Sequence, residues 1–267
     1  MRLSYFRSAN MNFRSATFIL LLFIAAIAGA HHFCGTSLGW VLVPVLLYKL
    51  LIIYGSSNIN SGFYIKAYSN GATSEKIIAL TFDDGPNREH TPGILKILRE
   101  HDVPATFFVI GKNIPGNEEL IRKIADEGHL LGNHTYSHSF FIDFKGKRGF
   151  IKEISETSDL VYSITGRKMQ FFRPPYGVTT PHLAAAARVL GNYVIGWNIR
   201  SLDTTNDDAG TIFKRVKEQV KPGAVILFHD TSEKTAAVLK QTLSFAAENG
   251  FKVVSTERLF GLKAYGI

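Results

Sequence analysis

The chain has 267 residues, 46% of them hydrophobic and 19% charged, which excludes a disordered protein and allows one large domain or one domain with an appendage. The net charge of +8 does not indicate a nucleic-acid partner, because residues 1–74 carry five basic and no acidic side chains, whereas residues 75–267 are nearly balanced, with 25 basic and 22 acidic. The single cysteine, Cys34, excludes an intrachain disulfide and a thiolate zinc cluster, so any metal must be held by histidines and carboxylates.

The N-terminal region is apolar enough to enter a membrane. No Asp, Glu, Lys or Arg lies between Arg14 and Lys49, and about 20 apolar residues span the hydrocarbon layer of a bilayer. The pattern therefore predicts two short spans, Ser15–Phe33 and Leu38–Tyr54, or one span followed by an interfacial helix. A cleaved signal peptide with its small-residue site at 28–30 is the third interpretation.

The side of the membrane depends on the number of spans. Arg2, Arg7 and Arg14 favour a cytoplasmic N-terminus by the positive-inside rule. One span then exports the rest of the chain, whereas two spans return it to the cytoplasm.

A segment rich in Ser, Asn and Gly, residues 55–74, is predicted to connect the membrane region, 1–54, to a soluble domain, 75–267. In this domain short apolar runs alternate with longer amphipathic stretches, the pattern of an α/β fold. Seven strands and six helices suit a shortened barrel or an open doubly wound sheet. The predicted strands are Ile77–Phe82, Ala105–Ile110, Leu130–Asn133, Phe171–Arg173, Tyr193–Trp197, Ala224–His229 and Phe251–Val254. The predicted helices are Thr91–His101, Asn117–Glu127, Gly149–Thr165, Pro181–Leu190, Asp207–Val220 and Ser232–Asn249.

Ionisable side chains stand where four of these strands end. Asp83 and Asp84 follow the first strand, and His134 follows the third. Arg173 ends the fourth strand, and His229 ends the sixth. Because the carboxyl ends of parallel strands share one edge of a sheet, we expect these five residues to converge there.

Two of these patterns indicate a metal site. Adjacent residues of a strand point to opposite sides, so Asp83 and Asp84 can divide the roles of metal ligand and substrate-facing group. His134 and His138 stand four residues apart, on one face if the segment is helical, and can bind one ion together. Either pattern alone also occurs in turns and on surfaces. With Asp84 they give two histidines and one carboxylate, a set that leaves positions on the ion open for water and substrate.

The remaining patterns supply acid–base groups. Arg173 precedes a rigid Pro-Pro loop and is a charge-assisted partner that can keep Asp83 ionised and oriented. His229 ends an apolar strand and is the natural general acid, provided that a carboxylate raises its pKa. Asp203 is the candidate for that carboxylate.

Five ordered motifs carry a resemblance to a known family. TFDDGP, HTYSH, RPPYG, the segment around Asp203 and LFH resemble the motifs of the polysaccharide deacetylases, carbohydrate esterase family 4, over about residues 75–260. The resemblance implies a distorted seven-stranded β/α barrel, here preceded by an N-terminal transmembrane region. It also implies metal-dependent hydrolysis of N-acetyl groups on an amino-sugar glycan.

The resemblance further implies a role for each residue of the site. Asp83 is expected to be the general base, oriented by Arg173, and His229 the general acid, tuned by Asp203. The expected metal ligands are Asp84, His134 and His138. The expected substrate-binding groups are the backbone N–H of Tyr176, at the oxyanion, and Leu227, against the acyl methyl group.

The fourth motif departs from the family pattern. The family often has Asp-x-x-Asp-Trp, whereas this chain has Arg200-Ser-Leu-Asp203-Thr204, so the first Asp and the Trp that usually forms an aromatic wall are missing. The acid–base groups are complete, and the substrate class is the feature that this change affects. For a site of two histidines and one aspartate, zinc is the expected metal, with cobalt or manganese as alternatives.

We therefore predict a membrane-anchored N-deacetylase of peptidoglycan, a chitin-like oligomer or an exported polysaccharide, in which metal-activated water attacks the amide with an Asp base and a His acid. We favour the external face, because glycan substrates of this family mostly lie there. An alternative with the same chemistry is a deacetylase or deformylase of a lipid-linked sugar, which two spans and a cytoplasmic domain would favour. A non-catalytic glycan-binding domain would require the loss of a ligand or base, and none is missing.

Overall fold

The computed structural model describes residues 11–266, so Arg2 and Arg7 lie outside the described residues. Two long helices open this part of the chain, α1 (Phe13–Cys34) and α2 (Leu42–Ser57), joined by a short 3-10 turn over Leu38–Val41. Thr17, near the start of α1, is hydrogen-bonded at 2.7 Å to Tyr48 near the middle of α2, and Ala16 packs with Leu51 and Ile52 further along α2. The two helices therefore run antiparallel, and we call α1, the turn and α2 the N-terminal hairpin.

The N-terminal hairpin is long and apolar enough to cross a membrane. Only 6% of the most apolar window of either helix is buried, with side chains such as Phe18, Leu22 and Leu47 exposed. A core helix of a soluble domain would be mostly buried, so these helices are suited to a membrane span or a signal anchor.

The rest of the chain forms an α/β domain. Its strands are β1 (Ala67–Tyr68), β2 (Ile77–Asp83), β3 (Thr106–Val109), β4 (Leu130–Asn133), β5 (Lys168–Met169), β6 (Phe171–Phe172), β7 (Tyr193–Ile195), β8 (Ile199–Arg200), β9 (Val225–His229), β10 (Lys252–Val253) and β11 (Tyr265–Gly266). Its helices are α3 (Thr91–Glu100), α4 (Glu118–Asp126), α5 (Gly146–Thr165), α6 (Pro181–Leu190), α7 (Ala209–Lys217), α8 (Thr235–Glu248) and α9 (Thr256–Phe260). The main sheet has the order β1-β7-β6-β4-β3-β2-β9-β8, with β10 also pairing with β2, and its strands are parallel.

This sheet curls until its two ends approach each other. β7 and β8 stand near opposite ends of the strand order, yet three residues separate them in the chain. Within this connection the Gly196 N–H donates to the Tyr68 carbonyl of β1 at 2.9 Å, and the Asn198 N–H donates to the Val225 carbonyl of β9 at 3.2 Å. The connection links both ends of the sheet and produces a distorted, partly closed β/α barrel.

The two faces of the strands have different surroundings. On β2, Ile78, Leu80 and Phe82 belong to the largest apolar cluster, which they share with residues of α3, α4, α7 and α8. Each fully buried side chain of this size stabilises the fold by about 1.5–3 kcal/mol. Because side chains alternate along a strand, Thr81 and Asp83 face the barrel interior, where the site lies.

Local sequence signals set the ends of the helices, as α6 illustrates. The Thr180 side chain accepts the Leu183 N–H, Pro181 occupies the first turn, and Gly191 ends the helix with a φ of 70°. This arrangement fixes the start of α6 at a point that also contacts the N-terminal hairpin.

All seven predicted strands and all six predicted helices of the domain occur, with ends shifted by at most three residues. The strand count is larger than predicted, because the main sheet has nine strands within residues 11–266, of which β1 and β8 were not predicted. β1 and β8 have two residues each, which is too short for the alternating pattern that reveals a strand in a sequence.

The segment 55–74, predicted as a linker, contributes to the folded unit. It contains β1 at one edge of the main sheet, and its Phe63 and Tyr64 are 3% and 7% exposed. Its Ser, Asn and Gly residues form tight turns, such as the 3-10 turn Ile59–Ser61. The composition that indicated a linker therefore reflects turns within a packed segment.

Candidate active site

Arg173 and Asp83 form a buried ion pair inside the barrel. The Arg173 side chain is fully buried and donates to the Asp83 carboxylate at 2.7 Å. It also donates to the Ile195 and Gly196 carbonyls, at 3.0 and 2.9 Å, and to the Thr81 hydroxyl at 2.9 Å. These bonds tie the guanidinium to β2 and to the end of β7, which fixes the position of the Asp83 carboxylate.

Asp84, His134 and His138 bring three ligand atoms together at the carboxyl edge of the sheet. Asp84 Oδ1 lies 3.5 Å from His134 Nε2 and 3.4 Å from His138 Nε2, and the three ligand atoms lie within 4.8 Å of one another. Ligands at about 2.0–2.2 Å from one tetrahedral ion are separated by about 3.4 Å. Asp84 Oδ1 is buried and lacks a hydrogen-bond partner among the described residues. The three side chains thus fit a divalent metal ion, which would satisfy that oxygen.

The HTYSH segment is an irregular loop and not a helix. Thr135 and His138 have φ angles of 65° and 47°, in the left-handed region that side chains with a Cβ rarely adopt. His134 Nδ1 lies 2.7 Å from the Arg173 carbonyl, and because a carbonyl only accepts, this nitrogen carries the proton. His134 Nε2 is thereby left to face Asp84, as a metal ligand requires.

Glu153 of α5 fixes the backbone of this loop. Its carboxylate accepts the N–H groups of Tyr136 and Ser137, at 3.1 and 2.6 Å, and the Ser137 hydroxyl at 2.8 Å. The Lys145 ammonium donates to it at 2.6 Å. Burial raises the pKa of Glu153, but the bonds from Lys145 and Ser137 outweigh burial and lower the pKa overall.

The sequence contains a signal for Glu153 outside the five motifs. Glu153 lies on the buried face of α5 with Phe150, Ile154, Thr157 and Val161. A carboxylate on an otherwise buried helix face needs a partner, and here the partner is the metal-site loop.

The charges of the site shift its titrating groups in different directions. Burial and the neighbouring His134 lower the pKa of His138 to about 4. Burial also acts to lower the pKa of His134, but the Asp83 and Asp84 carboxylates outweigh it and raise that pKa. Burial raises the pKa of Asp84, but the interactions with His134 and the other histidines bring it down to about 2. An ionised Asp84 and a neutral His138 are the forms that bind metal, and a proton on His134 would compete with the ion.

His229 and Asp203 form the second charged pair of the site. His229 Nδ1 lies 2.7 Å from Asp203 Oδ1, and the other Asp203 oxygen accepts the His229 N–H at 2.8 Å and the Thr235 hydroxyl at 2.6 Å. Burial acts to lower the pKa of His229, but the bond to Asp203 outweighs it and raises that pKa. His229 is also the register partner of Asp83 across β2 and β9, so the two pairs face one cleft.

Tyr176 and Leu227 lie on two sides of this cleft. The Tyr176 ring centroid is 4.7 Å from that of His138, and its backbone has a φ of 58°. Leu227 is 2% exposed and aligns with Thr81 on the neighbouring strand. Since Leu227 is two residues before His229, both side chains point to the same face of β9.

Two further residues of the site were not singled out from the sequence. Asp230 is buried, accepts the Thr91 hydroxyl at 2.6 Å, and lies so close to Gly85 that a Cβ there would collide with its carboxylate. Burial raises the pKa of Asp230 to about 7. Trp197 packs against Gly177 of the RPPYG loop, 5.4 Å from the Arg173 guanidinium, and places an aromatic ring near the cleft from a position outside the fourth motif. The signals were an acid directly after His229 and a Trp at the end of a predicted strand.

Backbone strain is concentrated at this edge of the sheet. Among residues 11–266, six non-glycine residues have positive φ, and only Asp102 lies away from the site motifs. Such conformations cost about 1–3 kcal/mol each and persist where the surroundings enforce them, which is common in active sites. The five that belong to the site motifs are Asp84, Thr135, His138, Tyr176 and Leu202.

The sequence of the chain is similar to the sequences of known proteins. The profile of the family described as polysaccharide deacetylase matches residues 70–195. The peptidoglycan-N-acetylglucosamine deacetylase PgdA of Listeria monocytogenes is 35% identical over 192 residues, which cover 72% of this chain and 40% of that protein. The peptidoglycan-N-acetylmuramic acid deacetylase PdaA of Bacillus subtilis is 32% identical over 197 residues, 72% of this chain and 74% of that protein. The chain belongs to the polysaccharide deacetylase family.

Solved structures agree with this assignment. The crystal structure of the Bc1960 peptidoglycan N-acetylglucosamine deacetylase superposes with a TM-score of 0.71 at 30% identity, covering 74% of this chain and 94% of that chain. The curled parallel sheet with its surrounding helices is therefore the fold of the family. The chain spans 40% of the length of the Listeria relative.

Proposed function

We propose that this protein is a membrane-attached, metal-dependent N-deacetylase of amino-sugar glycans. The observation that carries the proposal is the arrangement of two charged pairs, Arg173–Asp83 and Asp203–His229, beside the ligand triad in one cleft. The names of the relatives, which are peptidoglycan deacetylases, support the same substrate class.

Asp84, His134 and His138 would hold a divalent metal ion, with zinc preferred and cobalt or manganese as alternatives. When bound, such an ion polarises the acyl carbonyl and lowers the pKa of water. The other steps of the reaction fall to the side chains of the chain itself.

Asp83 is the proposed general base. Its carboxylate accepts a proton from the attacking water, whose oxygen bonds to the acyl carbon. Arg173, at 2.7 Å, holds the carboxylate in place, and it cannot itself exchange a proton at neutral pH. The position of Asp83 beside the ligand triad, with its Oδ2 3.8 Å from His134 Nε2, supports this role.

His229 is the proposed general acid. Its Nδ1 is bonded to Asp203, so its Nε2 is the atom that donates a proton to the leaving nitrogen as the C–N bond breaks. The products are acetate and a free amine on the sugar. The raised pKa of His229 favours the protonated form that this step consumes.

Tyr176 and Leu227 are proposed to bind the acyl group. The Tyr176 backbone N–H would donate to the carbonyl oxygen as negative charge develops there. The buried Leu227 side chain would line the site of the methyl group and limit the size of the acyl chain.

Acetate and amine release by the metal-loaded full chain tests the proposal. A panel should contain peptidoglycan, chitin oligomers, and the same sugars without N-acetyl groups as the negative control. We expect acetate release from N-acetylated substrates and loss of this activity in His134→Ala. Absence of acetate and amine from every N-acetylated substrate, with stoichiometric metal bound, would contradict the proposal.

A second candidate substrate, a lipid-linked amino sugar, is favoured by the geometry of the N-terminal hairpin. The Thr179 N–H donates to the Ser56 carbonyl at 3.0 Å, and the Phe13 N–H donates to the Phe63 carbonyl at 3.0 Å. The start of α1 and the end of α2 therefore both contact the domain, so both lie at the same end of the hairpin. A hairpin that crosses the membrane twice with a cytoplasmic N-terminus keeps the domain inside, where lipid-linked precursors are the accessible glycans.

Protease accessibility on intact spheroplasts distinguishes the two candidates. Digestion of the domain from outside supports the external face that the sequence favours, and with it the polymer substrates. Protection until the membrane is permeabilised supports the cytoplasmic face and the lipid-linked substrate. The division into a membrane region (1–54), a connection (55–74) and a catalytic domain (75–267) is also a proposal, and the sizes of the fragments on the same blots test it.

A further inference from the structure

An exposed aromatic loop lies beside the metal-site cleft, and the reaction proposed above does not use it. In residues 140–145, which we call the aromatic loop, Phe140, Phe141 and Phe144 are 74%, 65% and 88% exposed. Phenylalanines with this exposure are unfavourable in water, and a cluster of them indicates a surface that is covered in use. The Phe140 ring centroid lies 5.8 Å from that of Tyr176, so the cluster reaches the mouth of the cleft.

The aromatic loop is joined to the end of the N-terminal hairpin through two adjacent residues. Thr179 is bonded to the last turn of α2 through its N–H, to Ser56, and through its hydroxyl, to Gly55 at 3.2 Å. The next residue, Thr180, neighbours the carboxylate of Asp143 in the aromatic loop. Because Thr179 binds the last turn of α2 and the adjacent Thr180 neighbours the aromatic loop, the loop lies next to the C-terminal end of α2.

Apolar packing on α6 also connects the aromatic loop to the N-terminal hairpin. Ile142 of the loop packs with Leu183 of α6, whereas the adjacent Ala184 packs with Ala16 of α1 and with Tyr64. Neighbouring residues of one helix thus hold the hairpin on one side and the aromatic loop on the other. The aromatic loop therefore lies close to the end of the hairpin that contacts the domain.

The charges next to the aromatic loop indicate which kind of surface covers it. Lys145, Lys147 and Arg148 follow the aromatic residues and are exposed. Aromatic side chains followed by basic ones are typical of segments that lie in the interface of a membrane with anionic lipids. The exposed Tyr54 near the end of α2 is a second aromatic side chain of the kind that is enriched at this depth.

We propose that the aromatic loop inserts into the interface of the bilayer that holds the N-terminal hairpin, with anionic lipid headgroups as the partner of Lys147 and Arg148, which follow the loop. The mouth of the cleft then faces the membrane surface. The inference rests on the membrane attachment proposed above and does not depend on the deacetylase chemistry.

Depth measurements with spin labels test this inference in the full chain reconstituted into vesicles. Cys34→Ser removes the only native cysteine, and single labels are then placed by Phe144→Cys, Leu47→Cys and Ala247→Cys. Leu47 is exposed on α2 and reports whether the hairpin is embedded, and Ala247 is exposed on α8, on the far side of the domain. The depth of each label is obtained by comparing its accessibility to oxygen with its accessibility to a water-soluble nickel complex.

We expect the Phe144 label to lose access to the nickel complex in vesicles that contain phosphatidylglycerol, and to regain it in part in pure phosphatidylcholine or at high salt. The Ala247 label should keep its access throughout. If the Leu47 label is embedded while the Phe144 label remains as accessible as the Ala247 label, the inference is wrong. The remaining interpretation is then that the aromatic loop stacks on the glycan. If the Leu47 label is also accessible, the membrane attachment itself is wrong. Phe141→Cys repeats the reading at a second position of the loop.

Discussion

Asp83 and Asp84 are adjacent in the chain, but their surroundings differ. Asp83 is buried inside the barrel against Arg173, whereas Asp84 adopts a φ of 77° and turns its Oδ1 toward His134 and His138. The positive φ of Asp84 is what directs the second carboxylate to the ligand atoms. The division of roles between base and ligand therefore depends on one backbone conformation.

Substituting the two carboxylates separately tests this division. Asp83→Asn preserves the shape of the base and removes its proton acceptor, so metal should stay bound while turnover falls by about 10²-fold or more. Asp84→Asn should weaken metal binding, because an amide oxygen is a poorer ligand than a carboxylate. Metal content and acetate release of both variants provide the measurement, and the reverse pattern would exchange the two roles.

Arg173 is expected to matter for stability as well as for activity. Arg173→Ala leaves the Asp83 charge buried without its partner and removes bonds to the Ile195 and Gly196 carbonyls, so we expect a loss of about 3–5 kcal/mol in the free energy of unfolding. Arg99→Ala breaks an exposed ion pair of similar length, 2.8 Å to Glu127, and should cost no more than about 1 kcal/mol. Denaturant unfolding of both variants gives the comparison. If Arg173→Ala and Arg99→Ala lost the same free energy of unfolding, the buried pair would not stabilise the barrel more than an exposed pair does.

The pair of His229 and Asp203 predicts the alkaline side of the pH profile. The raised pKa of His229 means that the acid form is present at low pH and is lost as the pH rises through the pKa in the folded protein. Asp203→Asn removes the charge that raises this pKa, so the fall in kcat/KM should move to lower pH. Pre-steady-state or steady-state rates over a pH series measure the shift. An unchanged alkaline limb would assign the acid to another group.

At the scale of elements, the site residues at the ends of the parallel strands could be predicted from the sequence. The residues that hold the metal-site loop in place could not. Asp83, His134, Arg173 and His229 follow apolar runs, and the rule that parallel strands share a carboxyl edge was enough to bring them together. Glu153 lies inside a helix, so its contact with the metal-site loop depends on tertiary packing that no local pattern encodes. The left-handed loop at His138 could not be predicted either, since the spacing of the two histidines does not encode the backbone conformation between them.

Glu153 gives a test at this scale. Glu153→Ala removes the acceptor of two backbone N–H groups and one hydroxyl in the HTYSH loop, so we expect metal affinity to fall by about 10–100-fold, the effect of losing a support behind metal ligands. Glu156→Ala is the matched control, because Glu156 lies on the same helix in a surface pair with Lys152. Metal titration of both variants measures the difference. Equal affinities would show that the loop holds its shape without Glu153.

At the scale of the whole molecule, the fold is that of the family, and the proposed role of the N-terminal hairpin is to set the membrane surface at which the site acts. The sequence predicted an apolar N-terminal region, but it did not show that Phe13 and Ser56 both contact the domain. That contact places the start of α1, the end of α2 and the domain at one end of the hairpin. It also brings the mouth of the cleft close to the end of α2, because Thr179 is three residues from Tyr176.

The central claim is that one metal ion, held by Asp84, His134 and His138, is required for deacetylation. The most direct measurement is acetate release by the metal-stripped full chain as zinc is added back, with metal content determined in parallel. We predict no release without metal, a rise that saturates at one ion per chain, and neither binding nor release in His138→Ala. Full acetate release by the metal-free chain, or full stoichiometric binding by His138→Ala, would contradict the account.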